Sequence, residues 1–131
     1  MNILVDTHII IWWLVYPDKI KKTFFDYLID EKNSVYVSAV SLWEISLKQS
    51  IGKLKLSGVE PKDLINLIEE SGFELIDLSA KEAVSFDKIP KYKNKDPFDR
   101  MLVWQSIYNN YYFMSSDSKV KEYEKDGLKL L

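Results

Sequence analysis

The chain has no cysteine, one histidine, four glycines and four prolines among its 131 residues. Without cysteine, disulfide bonds and thiolate metal sites are excluded, which suits a reducing compartment. So few glycines and prolines leave no room for a low-complexity linker, and no internal repeat is visible. At this length we expect a single domain over residues 1–131, with enough chain to bury a sizeable core.

No long hydrophobic run and no large charge of one sign are present either. The apolar stretch 9–15 is too short to cross a bilayer, and the N-terminus has no basic segment followed by an apolar segment of signal-peptide length. The net charge of −2 predicts no global attraction to nucleic acid, so any such contact needs a local basic face. We therefore expect a soluble cytoplasmic domain with no membrane partner.

Short apolar runs alternate with amphipathic segments along the chain. We predict strands at 2–5, 35–37, 73–76, 111–114 and 128–130. Helices are predicted at 7–16, around 20–28, and at 38–50, 60–70, 79–87, 97–109 and 118–125. This order predicts an α/β protein with three layers, in which helices cover both faces of a central, mostly parallel, twisted sheet.

Carboxylates follow the predicted strands, where ligands bind in open parallel sheets. Asp6 comes directly after the first strand, and Asp117 shortly after the strand at 111–114. Each is equally well explained as the N-cap of the next helix. Acids gathered at one edge repel each other unless a cation holds them, and carboxylate oxygens suit a hard divalent metal.

Glu44 has two interpretations. With Ser41 three residues earlier it matches a capping box. If Ser38 caps the helix instead, Glu44 lies about two turns in, beside Trp43 and Ile45, which are expected to face the core. A carboxylate at that border between core and rim needs a partner.

Asp96 and Asp99 flank the start of the helix at 97–109. Asp96 before Pro97 reads as an N-cap, with a structural or supporting role. Asp99 lies in the first turn, where the helix dipole favours an anion, and we prefer it as the metal ligand. Arg100 pairs either with a substrate phosphate or with one of these carboxylates.

The remaining polar and aromatic signals are weaker. We expect His8 to be a structural hydrogen-bonding residue rather than a catalyst. The four tryptophans are expected in the core or in interfaces. The lysines around the end of the helix at 38–50 are either solvated or part of a phosphate-binding face; they are Lys48, Lys53 and Lys55.

Three motifs together resemble the PIN-domain ribonucleases, in particular the VapC-type toxins of toxin–antitoxin pairs whose members carry a DPFDR signature. ILVDTH with IIWWL resembles the family's opening strand and helix, and VSAVSLWEISLKQSIGKL resembles the stretch that bears its glutamate. DPFDRMLVWQS, followed by FMSSD, resembles the segment that bears its last two acids. The motifs run in the family's order over nearly the whole chain.

The resemblance implies catalytic and metal-binding roles for Asp6, Glu44, Asp99 and Asp117, with Asp96 as a further candidate ligand. It implies substrate-side or supporting roles for five further residues: Thr7, Lys48, Asn94, Arg100 and Ser115. The chain departs from the family pattern at Asn94, where relatives often carry histidine. We therefore expect the substrate contact there to differ.

The expected function is hydrolysis of RNA phosphodiesters by an endoribonuclease that uses Mg²⁺ or Mn²⁺. The resemblance further implies a toxin role, a homodimer, and a cognate antitoxin whose C-terminal segment occupies the acidic groove. Two alternatives stay open: a non-catalytic interaction module with the same fold, and a metal-dependent nuclease acting on DNA. An aspartyl phosphatase fits poorly, because His8 stands where its second aspartate is expected.

Overall fold

The computed structural model describes all residues from 1 to 131, and its centre is a five-stranded sheet. The strands are β1 (Asn2–Val5), β2 (Ser34–Ser38), β3 (Glu74–Ile76), β4 (Tyr112–Met114) and β5 (Lys129–Leu130). Their order across the sheet is β3-β2-β1-β4-β5, and every pairing is parallel. The predicted α/β class is confirmed, with β1 at the centre of the sheet.

Six α-helices connect the strands: α1 (Thr7–Val15), α2 (Lys22–Ile29), α3 (Ala39–Ser50), α4 (Leu64–Glu70), α5 (Ala80–Val84) and α6 (Pro97–Tyr108). Short 3₁₀ segments occupy 17–19, 61–63 and 86–88, and a longer one covers 118–126, where an α-helix was predicted. The other predicted elements are present, with ends displaced by a few residues. None of the helices combines the length and the apolar character that crossing a bilayer requires.

The core has two parts because side chains alternate between the faces of the sheet. Ile3 and Val5 of β1 pack into one apolar cluster, whereas Leu4 packs into the other. The first cluster includes residues of α1, α2 and α4, and the second includes residues of α6 and of the 118–126 segment. The sheet is therefore covered on both faces, as a parallel sheet requires.

Helix α3 joins these two clusters at the edge of the sheet. Its first turn contributes Val40 to one cluster, and one turn later Ile45 contributes to the other. The helix begins where β2 ends, and the Ser38 hydroxyl accepts a hydrogen bond from the backbone N–H of Val40 at 3.0 Å. This cap leaves Glu44 well inside the helix, at the carboxyl edge of the sheet.

Trp43 does not face the core as its position in the helical pattern had suggested. Its side chain is 62% exposed and packs edge-on against Phe98, with ring centroids 4.9 Å apart. The adjacent Ile45 is completely buried. Helix α3 contributes residues to both clusters, so its hydrophobic pattern does not define a single buried face. Trp43 lies on a part of the helix that neither cluster covers.

Candidate active site

A polar cleft of about 310 Å³ opens at the carboxyl edge of the sheet. Four carboxylates line it together with two lysines: Asp6, Glu44, Asp96, Asp99, Lys48 and Lys53. The other lining residues are Thr7, His8, Ile11, Ile45 and Leu54. The cleft contains three of the four acids predicted as metal ligands, and it includes Asp96 as well.

Asp6 is held in place by hydrogen bonds from the start of α1 and from the segment after β4. Its Oδ1 accepts the Thr7 backbone N–H at 2.8 Å, and its Oδ2 accepts the Ser115 hydroxyl at 2.7 Å. The Thr7 hydroxyl in turn lies 2.9 Å from the Ser41 hydroxyl. The pKa of Asp6 is raised to about 6, mainly by burial and in smaller part by the charges of Glu44 and Asp117, against the opposing effect of these hydrogen bonds.

Glu44 lies on α3 with only one of its oxygens paired. Its Oε2 contacts the ammonium group of Lys48 one turn further along the helix. Its Oε1 is buried and has no hydrogen-bond partner. Because a buried carboxylate oxygen normally accepts at least one hydrogen bond, this atom points to a missing partner in the cleft.

Asp96 and Asp99 extend from the N-terminus of α6 toward Glu44. The predicted cap is present, since Asp96 Oδ1 accepts the backbone N–H of Phe98 at 2.8 Å. One oxygen from each of Glu44, Asp96 and Asp99 lies within 4.8 Å of the others. Asp96 therefore combines its capping role with a place among the clustered carboxylates.

The proximity of these carboxylates changes the protonation of Asp99. Burial raises its pKa to about 7, and the charges of Asp6 and Asp96 contribute in the same direction. The Asn94 side-chain amide lies 3.4 Å from Asp99 Oδ2 and opposes the shift. Near neutral pH this aspartate holds a proton part of the time unless a cation replaces it.

Asp117 lies beside the cleft rather than in its wall. Its Oδ1 accepts the backbone N–H of Lys119 at 2.9 Å and so caps the 118–126 segment, which is the structural alternative considered for it. Its charge nevertheless raises the pKa of both Asp6 and His8. The structure thus brings Asp117 near Asp6 but not into the group formed by Glu44, Asp96 and Asp99.

His8 contacts the residues that follow β1 and β4. Its Nε2 accepts the backbone N–H of Ser116 at 3.0 Å, and its Nδ1 lies 3.5 Å from Asp6 Oδ2. Burial lowers its pKa, although the charges of Asp117 and Glu44 oppose this. These contacts agree with the structural role expected for His8, and they place it in the wall of the cleft.

For Arg100 one of the two expected partners is excluded, since no carboxylate pairs with it, and pairing with a substrate phosphate stays a prediction. The side chain is 9% exposed, does not line the cleft and forms no ion pair with the neighbouring acids. Its Nη2 lies 3.3 Å from the carbonyl oxygen of Ile89, and the guanidinium lies over the ring of Phe86. Consecutive residues of an α-helix point about 100° apart around the helix axis, so Arg100 faces a different side of α6 from Asp99. Their adjacency in the sequence did not show this difference.

Some residues of the site were missed or only partly anticipated. Ser41 contacts Thr7, and its position one turn before Glu44 on the same helix face is the signal that would have found it. Lys53 and Leu54 follow α3 and fold back over the cleft, whereas Lys55 does not line it. Only the path of the loop after Gly52 decides which of these lysines faces the acids.

The donor set suits a hard divalent cation. The cluster of Glu44, Asp96 and Asp99 consists of carboxylates only, one buried oxygen lacks a partner, and the pKa values of two aspartates in the cleft are raised. Mg²⁺ and Mn²⁺ prefer such oxygen ligands, and a bound cation relieves the repulsion among the acids. The residues present therefore fit the ion that the sequence led us to expect.

Comparison with known proteins gives matches over almost the whole chain. The family model of the PIN domain matches residues 3–126. VapBC2 from Rickettsia felis, in a complex with a DNA fragment from its promoter, is similar with a TM-score of 0.69 and 17% identity, covering 100% of this chain and 98% of that chain. DNA-bound VapBC from Salmonella typhimurium has a TM-score of 0.65 and 15% identity, covering 100% and 97%.

A third similar structure is FitAB bound to the IR36 DNA fragment. Its TM-score is 0.67 at 20% identity, with 98% of this chain and 93% of that chain covered. No curated protein matches the chain. At these identities the likeness to the solved structures establishes the shared fold.

Proposed function

Because the chain belongs to the PIN-domain family, we propose that it is a Mg²⁺- or Mn²⁺-dependent endoribonuclease that hydrolyses RNA phosphodiester bonds. The observation that carries this proposal is the convergence of four carboxylates in one cleft, with a buried oxygen of Glu44 left without a partner. Asp6, Glu44 and Asp99 are the proposed ligands, Asp96 supplements them, and Asp117 acts from the adjacent rim.

The protein's own residues prepare this site for the ion. The Ser115 hydroxyl and the Thr7 N–H fix both oxygens of Asp6, and the Asn94 amide orients Asp99. Lys48 balances part of the negative charge through Glu44. A divalent ion in this position supplies activation of a water molecule and stabilisation of charge on the reacting phosphate.

The first test measures metal binding and cleavage together. We expect stoichiometric Mn²⁺ binding by calorimetry and cleavage of single-stranded RNA, and loss of both in Asp99→Asn. Asp26→Asn on the exposed face of α2 is the matched control and should leave both unchanged. Absence of stoichiometric Mn²⁺ binding would favour a non-catalytic interaction module, and cleavage of DNA but not RNA would favour the alternative nuclease.

A second test uses stability as a readout that does not depend on turnover. Mn²⁺ at about 100 times its Kd should stabilise the native state by about 2.7 kcal/mol. Glu44→Gln should lose most of this gain because the side chain then has no negative charge and carries an NH2 group in place of one carboxylate oxygen. An equal shift of the melting temperature in wild type and Glu44→Gln would show that Glu44 does not hold the ion.

We also propose that the protein is a toxin which acts in the cytoplasm and is restrained by a cognate antitoxin. Support comes from the resemblance to VapC-type toxins and from similar structures that are VapBC complexes. A homodimer is part of the same proposal. The exposed Trp43 next to an apolar hollow of about 150 Å³, lined in part by Phe98 and Met101, is consistent with a protein partner.

Expression in cells tests the toxin proposal. Induction of the wild type should stop growth, and Asp6→Asn should abolish the effect at equal protein level. If a small DNA-binding protein is encoded next to the gene, its co-expression should restore growth. Equal toxicity of the wild type and Asp6→Asn would separate growth arrest from the nuclease site.

A further inference from the structure

A second cavity of about 420 Å³ adjoins the catalytic cleft. It is lined by Lys91, Tyr92, Asn94, Lys95 and Arg100. Three of these five side chains carry a positive charge, and no carboxylate lines the cavity. The two cavities therefore have opposite electrostatic character, although Asn94 lines this one and contacts Asp99 in the other.

Arg100 gives this cavity a buried cation with unused hydrogen-bonding capacity. The side chain is 9% exposed and stacks on Phe86, and its Nη2 donates to the Ile89 carbonyl. Its Nε is buried without an acceptor, and no carboxylate forms an ion pair with it. A buried guanidinium in this state calls for an anion, and a phosphate is a preferred partner.

The loop that carries the two lysines is fixed at both ends. The Tyr92 hydroxyl donates to Asp126 Oδ2 at 2.7 Å, and Lys125 lies over the Tyr92 ring. Asn94 Oδ1 accepts the backbone N–H of Asp96 at 3.0 Å. The cavity is thus preformed by contacts that do not use the charges of Lys91 and Lys95.

We infer that this cavity binds a backbone phosphate of the RNA strand, one that lies next to the phosphate cleaved in the acidic cleft. The inference rests on the proposed nuclease function. A nuclease with net charge −2 and an acidic cleft repels RNA except where cations gather. Phosphate contacts beside the cleft position the strand without reading its sequence.

The loop offers a matched control for a test by charge removal. Lys91 and Lys95 line the cavity, whereas the exposed Lys93 between them does not. Lys93→Gln therefore makes the same change of charge in the same loop, outside the proposed site. Any effect of general electrostatic attraction should appear equally in Lys93→Gln and in the single variants Lys91→Gln and Lys95→Gln.

The first measurement is RNA affinity against salt, by fluorescence anisotropy with Ca²⁺ in place of Mg²⁺ to prevent turnover. The double variant Lys91→Gln with Lys95→Gln should bind several-fold more weakly than wild type. Its slope of log affinity against log salt should be shallower by about 0.7 for each phosphate that the protein no longer neutralises. Mn²⁺ binding by calorimetry should stay at the wild-type level, which shows that the metal site is intact.

The second measurement locates the phosphate. In a set of RNA strands, each carries one neutral methylphosphonate linkage at a different position. Wild type should bind weakly only to the strand whose neutral linkage occupies the proposed site beside the scissile bond. The double variant should be indifferent to that position, because a coupled pair gives a non-additive cycle. A purely structural role for the lysines would lower affinity equally at every linkage.

The outcomes separate the two proposals. If wild type binds RNA and the single variants Lys91→Gln and Lys95→Gln match Lys93→Gln in affinity and salt slope, the phosphate site is wrong, whether or not RNA is cleaved. If wild type binds RNA without cleaving it in Mg²⁺, the nuclease proposal fails while the binding data still decide the site. If wild type does not bind RNA at all, both fail.

Discussion

Glu44 and Glu82 are each 4% exposed, yet their surroundings are opposite. Glu82 accepts hydrogen bonds from the Ser79 backbone N–H and the Asn109 side-chain amide, both at 2.8 Å, and from the Gln105 amide at 3.3 Å. Glu44 has its contact with Lys48 and one oxygen without any partner. Burial alone does not distinguish a structural carboxylate from a functional one, but the number of donors facing it does.

The pKa values follow the same division. Burial raises the pKa of Glu82, but hydrogen bonds from Ser79, Asn109 and Gln105 outweigh it, and the net shift is downward. In the cleft, burial and the charges of neighbouring acids raise the pKa values of Asp6 and Asp99. One site is complete within the protein, and the other is completed only by a cation.

The largest expected effects come from substituting each of these two glutamates in turn. Glu44→Gln should lower RNA cleavage by at least about a hundredfold, because a metal contributes several kcal/mol to transition-state stabilisation. It should leave the metal-free stability unchanged or raised, since a buried charge is removed. Glu82→Ala should instead cost about 2–4 kcal/mol of unfolding free energy, because three donors lose their acceptor.

Cleavage assays and denaturant unfolding in EDTA measure these two effects separately. Glu70→Ala on the exposed surface of α4 is the control and should change stability by less than about 0.5 kcal/mol. A Glu44→Gln protein as unstable as Glu82→Ala would mean that Glu44 is a structural residue, and the comparison would break down.

A smaller effect is expected in the pH dependence of metal-free stability. Because the pKa values of Asp6 and Asp99 are raised, the native state holds protons that the unfolded state has released. The contribution of these protons to the free energy of unfolding is therefore full below about pH 4 and is lost as pH rises to about 7. At about 1.4 kcal/mol per pKa unit the two shifts would amount to about 7 kcal/mol, but solvent screens the partly exposed Asp99 and the two titrations are coupled, so we expect a loss on the order of 2–4 kcal/mol. The lowered pKa of Glu82 acts in the opposite sense, because its contribution is lost as pH falls below the usual glutamate range.

Denaturant unfolding at several pH values, with EDTA or with Mn²⁺, measures this dependence. Stability in EDTA should fall from pH 5 to pH 8, and Mn²⁺ should flatten the curve because it favours the ionised carboxylates. The combined variant Asp6→Asn with Asp99→Asn should flatten the curve without metal. A wild-type profile in EDTA that is level from pH 5 to pH 8 would contradict the raised pKa values.

The smallest effect concerns the hydroxyl that orients Asp6. Ser115→Ala removes the 2.7 Å hydrogen bond to Oδ2, and we expect metal affinity to fall by about tenfold. Ser116→Ala is the control, since its side chain is exposed and only its backbone N–H is used, by His8. Calorimetry with Mn²⁺ should separate the two variants, and equal affinities would show that Ser115 does not act on the ligand.

Local rules were sufficient for the parts of the site that depend on one element. Ser38 as a cap after β2, with Glu44 inside α3, was one of the two interpretations that the residue types favoured at helix starts allowed, and the structure selects it. The cap formed by Asp96 before Pro97 followed in the same way. Asp6 at the end of a central strand followed from an apolar run with no polar residue on either face.

Contacts between elements were beyond those rules. The sequence did not indicate that Arg100 turns toward Ile89 or that Trp43 is exposed, and the resemblance named Asp96 only as a further candidate beside Glu44 and Asp99. It also did not single out Glu82, whose partners lie 23 and 27 residues away in addition to the nearby Ser79. Each of these depends on how helices are rotated about their axes when they pack.

The sequence by itself determined which elements form, in what order, and that acids stand at the carboxyl ends of parallel strands, because periodicity and capping are properties of neighbouring residues. Tertiary structure alone decided which carboxylates lack hydrogen-bond donors and which lysine and arginine side chains lie near them. Desolvation and charge repulsion act through space over a few ångströms, and only the packed chain sets those distances.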